Sequence, residues 1–289
     1  MKRCVALLAM LSLGCAGAAT AASRRGPSQR ARYAVRWRAE VPQGARYAVD
    51  VSLSRTRTVH AEHRGQPASE RTEHGEASAR ARVEVLERDD AHERLRYTVE
   101  AVRDAGYFAQ GVALRAGDVV DIVNRAGRYE AADANGHPLD AAALDGFGGF
   151  FELGWDRPGD DDEAYFGVLE AQRPGAQWSV HPPYGGHDDV TGGTVRFVEA
   201  VRCAPAVCVS LRGDFEVRVR DAAPLPPMEL ERSPTRATFE VLLPVDASVP
   251  VRRRVDTTRE ESTLRNPIRG TRTVSVTTYA TTRQETPLP

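Results

Sequence analysis

Apolar and polar residues alternate with a period of two along most of this chain, and this pattern limits its fold more than any other feature. In residues 47–53, for example, Tyr, Val, Val and Leu alternate with Ala, Asp and Ser. Successive side chains of a β-strand point to opposite faces, so this spacing buries one face and leaves the other in water. A sheet with one wet face is typical of antiparallel pairing. The pattern recurs at 33–41, 81–85, 95–101, 215–219, 239–243 and 272–283.

Helical patterning is scarce by comparison. Residues 140–153 have the pattern of a short helix, with Asp140 as its N-cap and internal glycines that limit its length. Residues 65–75, 156–163 and 182–193 have the composition of loops. We therefore expect a mainly β fold after an N-terminal signal segment. It would be a curved antiparallel sheet, or half-barrel meander, with one short helix and an aromatic plug.

The N-terminus has the three parts of a secretory signal peptide. Lys2 and Arg3 are basic, residues 5–13 are apolar, and residues 19–21 have the small-x-small form of a cleavage site. The apolar run is too short for a stable membrane span. This pattern predicts cleavage after Ala21 and export to the periplasm or the outer membrane.

The domain organisation follows from these signals. Residues 1–21 are the predicted signal peptide and residues 22–31 a flexible arm. Residues 32–284 are expected to form the antiparallel β domain, followed by a frayed tail at 285–289. Within the domain, residues 140–193 either divide two lobes or cap a single sheet.

The cysteines lead to two predictions. Residues 13–15 resemble the end of a bacterial lipobox, so Cys15 is an alternative site of cleavage and lipidation. Cleavage after Ala21 leaves Cys203 and Cys208, and an even count in an oxidising compartment favours a disulfide over half of a zinc site. The two cysteines flank four residues between strand-like runs. They predict a four-residue hairpin loop with the cysteines directly opposite each other, and a bulge near Glu199.

Composition excludes several function classes. A formal net charge of −1 argues against a protein that wraps nucleic acid. Lys2 is the only lysine, so the mature chain lacks the residue needed for Schiff-base catalysis or a P-loop. Motifs of serine hydrolases and zinc proteases are missing. No cofactor is expected.

Histidines and acids offer two weaker candidates. His60 and His63 would point to opposite faces of a strand, and His187 with Asp188 and Asp189 falls short of the usual three or four convergent ligands. No metal site is therefore expected. Residues 156–163 hold five carboxylates, which form either a solvated loop or the paired acids of a secreted hydrolase; Asp188 and Asp189 are the other candidates for such acids.

An aromatic segment offers a candidate ligand site. Phe147, Phe150, Phe151 and Trp155 lie in and after the predicted helix. They are expected either to plug the core or to line and close an apolar pocket on the curved sheet.

Three short motifs carry a resemblance that spans the whole mature chain. They are Gly-Ala-Arg-Tyr at 44–47, Arg-Pro-Gly-Ala-Gln-Trp at 173–178 and Val-Pro-Val-Arg-Arg-Arg at 249–254. With the signal peptide, they resemble uncharacterised secreted or lipoprotein β families of Gram-negative bacteria. Such families are similar in architecture to half-barrel lipoprotein carriers of the LolA/LolB type. The resemblance implies a curved antiparallel sheet with a helix or loop in its mouth, and it implies no catalytic residue.

These observations favour a non-enzymatic protein of the cell envelope. Its partner would be a lipid or another apolar ligand, or a protein of an envelope assembly, with membrane attachment only through a lipid anchor. The alternative is a secreted hydrolase that uses the loop carboxylates.

Overall fold

A single open, curved antiparallel sheet of twelve strands makes up most of the molecule. The computed structural model describes residues 27–64, 66–89, 92–109, 111–125, 128–151, 160–181, 188–219 and 228–289. Its strands are β1 (Arg46–His63), β2 (Ser69–Arg88), β3 (His92–Ala105), β4 (Val119–Arg125), β5 (Arg128–Asp133), β6 (Gln177–Ser179), β7 (Asp188–Cys203), β8 (Ala206–Val219), β9 (Glu229–Arg232), β10 (Thr235–Pro244), β11 (Arg252–Asn266) and β12 (Thr271–Pro287). The expected mainly β fold is confirmed.

The strand order places the first and the last strand side by side in the middle of the sheet. The order is β5-β4-β3-β2-β1-β12-β11-β10-β8-β7-β6, and β9 pairs with β11 outside this path. The first strand therefore pairs with the last along almost its whole length, from Tyr47 opposite Pro287 to His63 opposite Thr271.

Two hydrophobic cores lie on the same face of this sheet, which we call the core face. The first core joins apolar residues of β1–β4 to α1 (Ala141–Phe151). The second joins β7, β8 and β10 to Phe166 of α2 (Asp160–Phe166). Gly213 of β8 is required there, because a Cβ at this position would overlap the ring of Phe239. Between the two cores, β11 and β12 present mainly polar side chains.

Residues 33–41, which we call the strap, are not the strand that their alternation predicts. They are extended and alternately buried, with Val35 and Trp37 in the second core and Val41 in the first. Their backbone forms no continuous ladder with a neighbouring strand of the described residues, although Tyr33 makes an isolated β-bridge with Gln172 and the N–H of Glu40 donates to the carbonyl of Ala247. Side chains supply further hydrogen bonds. Arg252 donates to the carbonyl of Trp37, and Arg88 to the carbonyl of Val41. Alternating burial therefore does not distinguish a strand within a sheet from an extended segment that lies across one.

Other local predictions are corrected by long-range pairing. Residues 69–75 of the predicted loop belong to β2, where they pair with β1. Asp188–Cys203 forms β7, and α2 begins at Asp160, so both remaining loop predictions were too long. The predicted frayed tail is paired as far as Leu288, whose N–H donates to the carbonyl of Arg46. The predicted helix is confirmed, with Asp140 Oδ1 accepting from the N–H of Ala143 at 2.8 Å.

An ion-pair cluster joins β3 to β4 on the opposite face of the sheet. Arg96 holds Asp121 through two hydrogen bonds of 2.7 and 2.8 Å, and Arg94 adds a third of 2.6 Å. Burial alone would raise the pKa of Asp121, but the hydrogen bonds from Arg96 and Arg94 outweigh it and hold this pKa below its usual value.

Replacing Asp121 with asparagine is expected to lower the free energy of unfolding at pH 7 by about 1.5–3 kcal/mol, because three charge-assisted hydrogen bonds are weakened. A lowered folded-state pKa stabilises the protein fully above the unfolded value of about 3.9, and this contribution is lost as the pH falls through the folded pKa. The free energy of unfolding, measured with urea from pH 7 to pH 2.5, should therefore decrease less with falling pH in the variant than in the wild type. Asp50→Asn, at an exposed carboxylate, is the control and should change stability by less than about 0.5 kcal/mol. Parallel acid profiles of Asp121→Asn and wild type would contradict this account.

Candidate functional site

A polar groove crosses the core face between the two cores. It is a cavity of about 210 Å³ on the neighbouring strands β1, β12 and β11, bordered by the start of β10. Register explains which side chains meet there. Thr277 lies opposite Arg57 on one side and Glu260 on the other, while Tyr279 lies opposite Arg55. Arg232, Ser233 and Glu261 also line this cavity, and we define the polar groove by its other eight residues: Arg55, Arg57, Thr235, Glu260, Ser262, Ser275, Thr277 and Tyr279.

Several polar groups of the groove are not satisfied by the protein. Within the described residues, the side chains of Thr235, Glu260, Ser262, Thr277 and Tyr279 make no hydrogen bond or ion pair. Thr235 and Thr277 are each only 8% exposed. The hydroxyls of these two residues are not among the fully buried unpaired polar atoms of the described residues, so they remain accessible from the groove. The groove therefore presents donors and acceptors that suit a polar occupant.

The charges of the groove are separated across its width. Arg57 donates through Nε to Ser275 Oγ at 3.1 Å, and Arg55 donates through Nη2 to the carbonyl of Gly106 at 3.3 Å. Among the described residues, neither arginine is paired with a carboxylate, and Glu260 is not paired with a cation. Two strand spacings separate Arg57 from Glu260, about 10 Å between backbones, so the two charges lie on opposite sides of the groove.

Tyr279 contributes a hydroxyl donor at the floor of the groove. Burial raises the pKa of its phenol, and the nearby charge of Glu260 raises it further, against the opposing effect of Arg55 and Arg57. The phenol is therefore protonated at neutral pH. It supplies one donor and one acceptor beside the hydroxyl of Thr277.

The polar side chains of β11 and β12 between the two cores form a strip that includes the groove. Beyond the groove, this polar strip continues into a buried ion-pair cluster beneath the strap. Arg283 donates to Glu285 Oε1 through Nε and Nη2, each at 3.2 Å, and both side chains are at most 10% exposed. Arg88 is paired with the equally buried Glu93. Tyr47 lies nearby with a pKa raised first by burial and then by the neighbouring Tyr97. This cluster fixes the strap over one end of the strip and leaves the groove open at the other.

The predicted aromatic site lies away from the groove, in the first core. Phe147, Phe150 and Phe151 are at most 2% exposed. The rings of Phe147 and Phe151 have centroids 5.0 Å apart, and Tyr97 contacts Phe147 edge-to-face at 5.1 Å. These rings therefore act as core residues here, and a role in ligand binding stays a prediction. Trp155 lies outside the described residues.

The cysteine prediction is confirmed in its pairing and corrected in its geometry. Cys203 and Cys208 form a disulfide with Cα atoms 5.8 Å apart. The turn between β7 and β8 has only two residues, so Cys203 lies opposite Ala206 and Cys208 opposite Val201. The predicted bulge is present between Phe197 and Glu199, and it shifts the register. Cys15 lies outside the described residues.

The candidate acids and histidines form no centre that the structure describes. Glu163 accepts a hydrogen bond from the N–H of Trp37 at 2.9 Å, which makes it an anchor of the strap. The side chains of residues 156–162, His187, Asp188 and Asp189 lie outside the described ones, so their use in a hydrolase stays a prediction. His60 contacts Glu62 at 3.4 Å. Across the described ranges, no three His, Cys, Asp or Glu side chains are grouped as a metal site would require.

The groove residues were missed because their partners are far apart in sequence. One signal was nevertheless present in β1. Arg55 and Arg57 continue the phase of the buried residues Val49, Val51 and Leu53. A charged residue at a position expected to be buried indicates that the core ends there and that a polar surface begins.

None of the helices in the described part of the chain has the length and apolar character that a membrane crossing requires. No protein-family model matches the sequence, and no curated protein matches it either.

Proposed function

We propose that this protein is a non-enzymatic binding protein of the cell envelope that docks a polar partner in the polar groove. The observation that carries this proposal is the group of five polar side chains in the groove that have no bonding partner within the described residues. The hydroxyl, phenol and carboxylate groups of these side chains keep their full capacity to donate or accept hydrogen bonds, and a polar partner can use it. The signal-like N-terminus supports the assignment to the periplasm or outer membrane.

The packing of the first core favours docking over transport of an apolar ligand. A carrier of the LolA/LolB type would need apolar space beneath Phe147, Phe150 and Phe151. These rings instead pack against each other and against Tyr97 and Phe108. Binding an apolar molecule at this position would displace them, whereas binding in the polar groove leaves both cores intact.

Site-specific photo-crosslinking in cells tests the docking function. Replacing Tyr279 with a photoreactive phenylalanine places the probe in the groove, and the same replacement of Thr278 places it on the opposite face of the same strand. We expect one recurrent adduct in the envelope fraction with the probe at 279 and none at 278. Both variants should have the wild-type urea midpoint. Equal labelling from both faces, or no adduct from position 279, would overturn the docking function.

A further inference from the structure

The chemistry of the polar groove also indicates which class of partner it accepts. We propose that it binds a saccharide unit that carries an acidic group. This inference rests on the docking function proposed above and adds the chemical class of the ligand.

The β1 side of the groove suits an anion. Arg55 and Arg57 lie two residues apart on the same face, and neither is neutralised by a carboxylate of the described residues. Arg57 uses Nε for Ser275, which leaves its two terminal nitrogens available. Guanidinium groups in this situation bind carboxylate or phosphate through short charge-assisted hydrogen bonds.

The floor and the β11 side of the groove suit sugar hydroxyls. A saccharide hydroxyl both donates and accepts hydrogen bonds, and it needs partners of both kinds. Thr277, Ser262 and Tyr279 supply hydroxyls with this dual capacity, and Glu260 supplies two acceptor oxygens. A metal ion would require several convergent carboxylates, whereas hydroxyls dominate here.

The size of the groove fits one ring rather than a large ligand. Its volume of about 210 Å³ is below the roughly 300–1,000 Å³ of pockets for drug-sized molecules. The acidic group would lie at Arg55 and Arg57, and the ring hydroxyls would lie over Thr277 towards Glu260. The remaining sugar units of a longer chain would lie outside the groove.

Calorimetric titration of the mature protein with defined sugars tests this inference. The acidic probes are the disaccharide of N-acetylglucosamine and N-acetylmuramic acid, which carries a carboxylate, and glucosamine 6-phosphate. Chitobiose is the neutral probe, and inorganic phosphate and lactate are the sugar-free anions. We expect at least one acidic sugar to bind about tenfold more tightly than chitobiose, as the gain of a charge-assisted hydrogen bond implies. The preferred acidic probe then distinguishes a carboxylate glycan of the cell wall from a phosphorylated sugar of a lipid headgroup.

Three variants separate the parts of the site. Arg57→Gln should remove most of the preference for the acidic sugar, and Tyr279→Phe should weaken acidic and neutral sugars equally. Arg82→Gln, on the opposite face where Arg82 bonds Glu100, should leave every affinity unchanged. An effect of Arg82→Gln as large as that of Arg57→Gln would overturn the placement of the ligand.

The remaining outcomes are equally decisive. Phosphate or lactate that binds as tightly as the acidic sugar would show a general anion site and overturn the saccharide class. Chitobiose that binds as tightly as the acidic sugars would overturn the claim that the ligand must carry an acidic group. Absence of binding to any sugar, with the photo-crosslink from position 279 retained, would overturn the saccharide inference and leave the docking function standing. Absence of both sugar binding and the photo-crosslink would overturn the saccharide inference and the docking function together.

Discussion

Replacing Trp37 with alanine is expected to lower the free energy of unfolding by about 3–5 kcal/mol, the usual cost of deleting a buried aromatic side chain. Trp37 is fully buried between the rings of Phe239 and Phe166, whose centroids lie 5.4 and 5.5 Å away. It is also the anchor of the strap in the second core. Urea unfolding at pH 7, followed by circular dichroism, measures the loss.

Two companion variants show what this cost comes from. Trp37 Nε1 is buried without a hydrogen-bond partner among the described residues. Trp37→Phe keeps most of the ring contacts and removes this unsatisfied donor, so its cost should be less than half that of Trp37→Ala. Arg36→Ala changes an exposed strap residue and should cost less than about 0.5 kcal/mol. If Trp37→Ala costs no more than Arg36→Ala, the strap does not contribute to the stability of the folded sheet.

The second large effect is expected at the buried ion pair beneath the strap. Arg283→Met should lower the free energy of unfolding by about 3–5 kcal/mol, because it leaves the carboxylate of Glu285 buried without its cation. Urea unfolding at pH 7, followed by circular dichroism, measures the loss.

The double variant Arg283→Met with Glu285→Met provides the matched control. Replacing both members of a buried ion pair by apolar residues of similar size is often neutral or stabilising. The double variant should therefore recover most of the stability lost in Arg283→Met. A double variant as unstable as the single one would show that Arg283 acts through other contacts, such as its hydrogen bond to the carbonyl of Phe151 at 3.4 Å.

Local patterning was sufficient to predict most of the sheet. Residues 47–53, 95–101 and 239–243 are strands, and each buries one alternating set of side chains. This alternation can be recognised from a few consecutive residues. Asp140 and the cysteine pair were found for the same reason, since a helix cap and a hairpin disulfide are also local. The strap was misassigned because alternation records burial and not the identity of the hydrogen-bond partner.

The polar groove needed information that no local pattern contains. Its floor exists because β12 lies between β1 and β11, which brings Arg57, Thr277 and Glu260 into one row. These residues are separated by up to about 220 positions in sequence. A threonine-rich segment such as 272–283 predicts a strand equally well at an edge or at the centre of a sheet. Only the register shows which face and which neighbours each side chain has.

The pairing of the first strand with the last has a consequence for how this protein is made. Tyr47 and Pro287 are neighbours in the sheet, so the centre of the sheet closes only after β12 has been synthesised. Until then β1 and β11 are open edges, each a template for pairing with another molecule. A chain that stops after β11 would keep these edges permanently and should aggregate rather than fold. Folding of the sheet is thus coupled to the synthesis of the seventeen residues of β12.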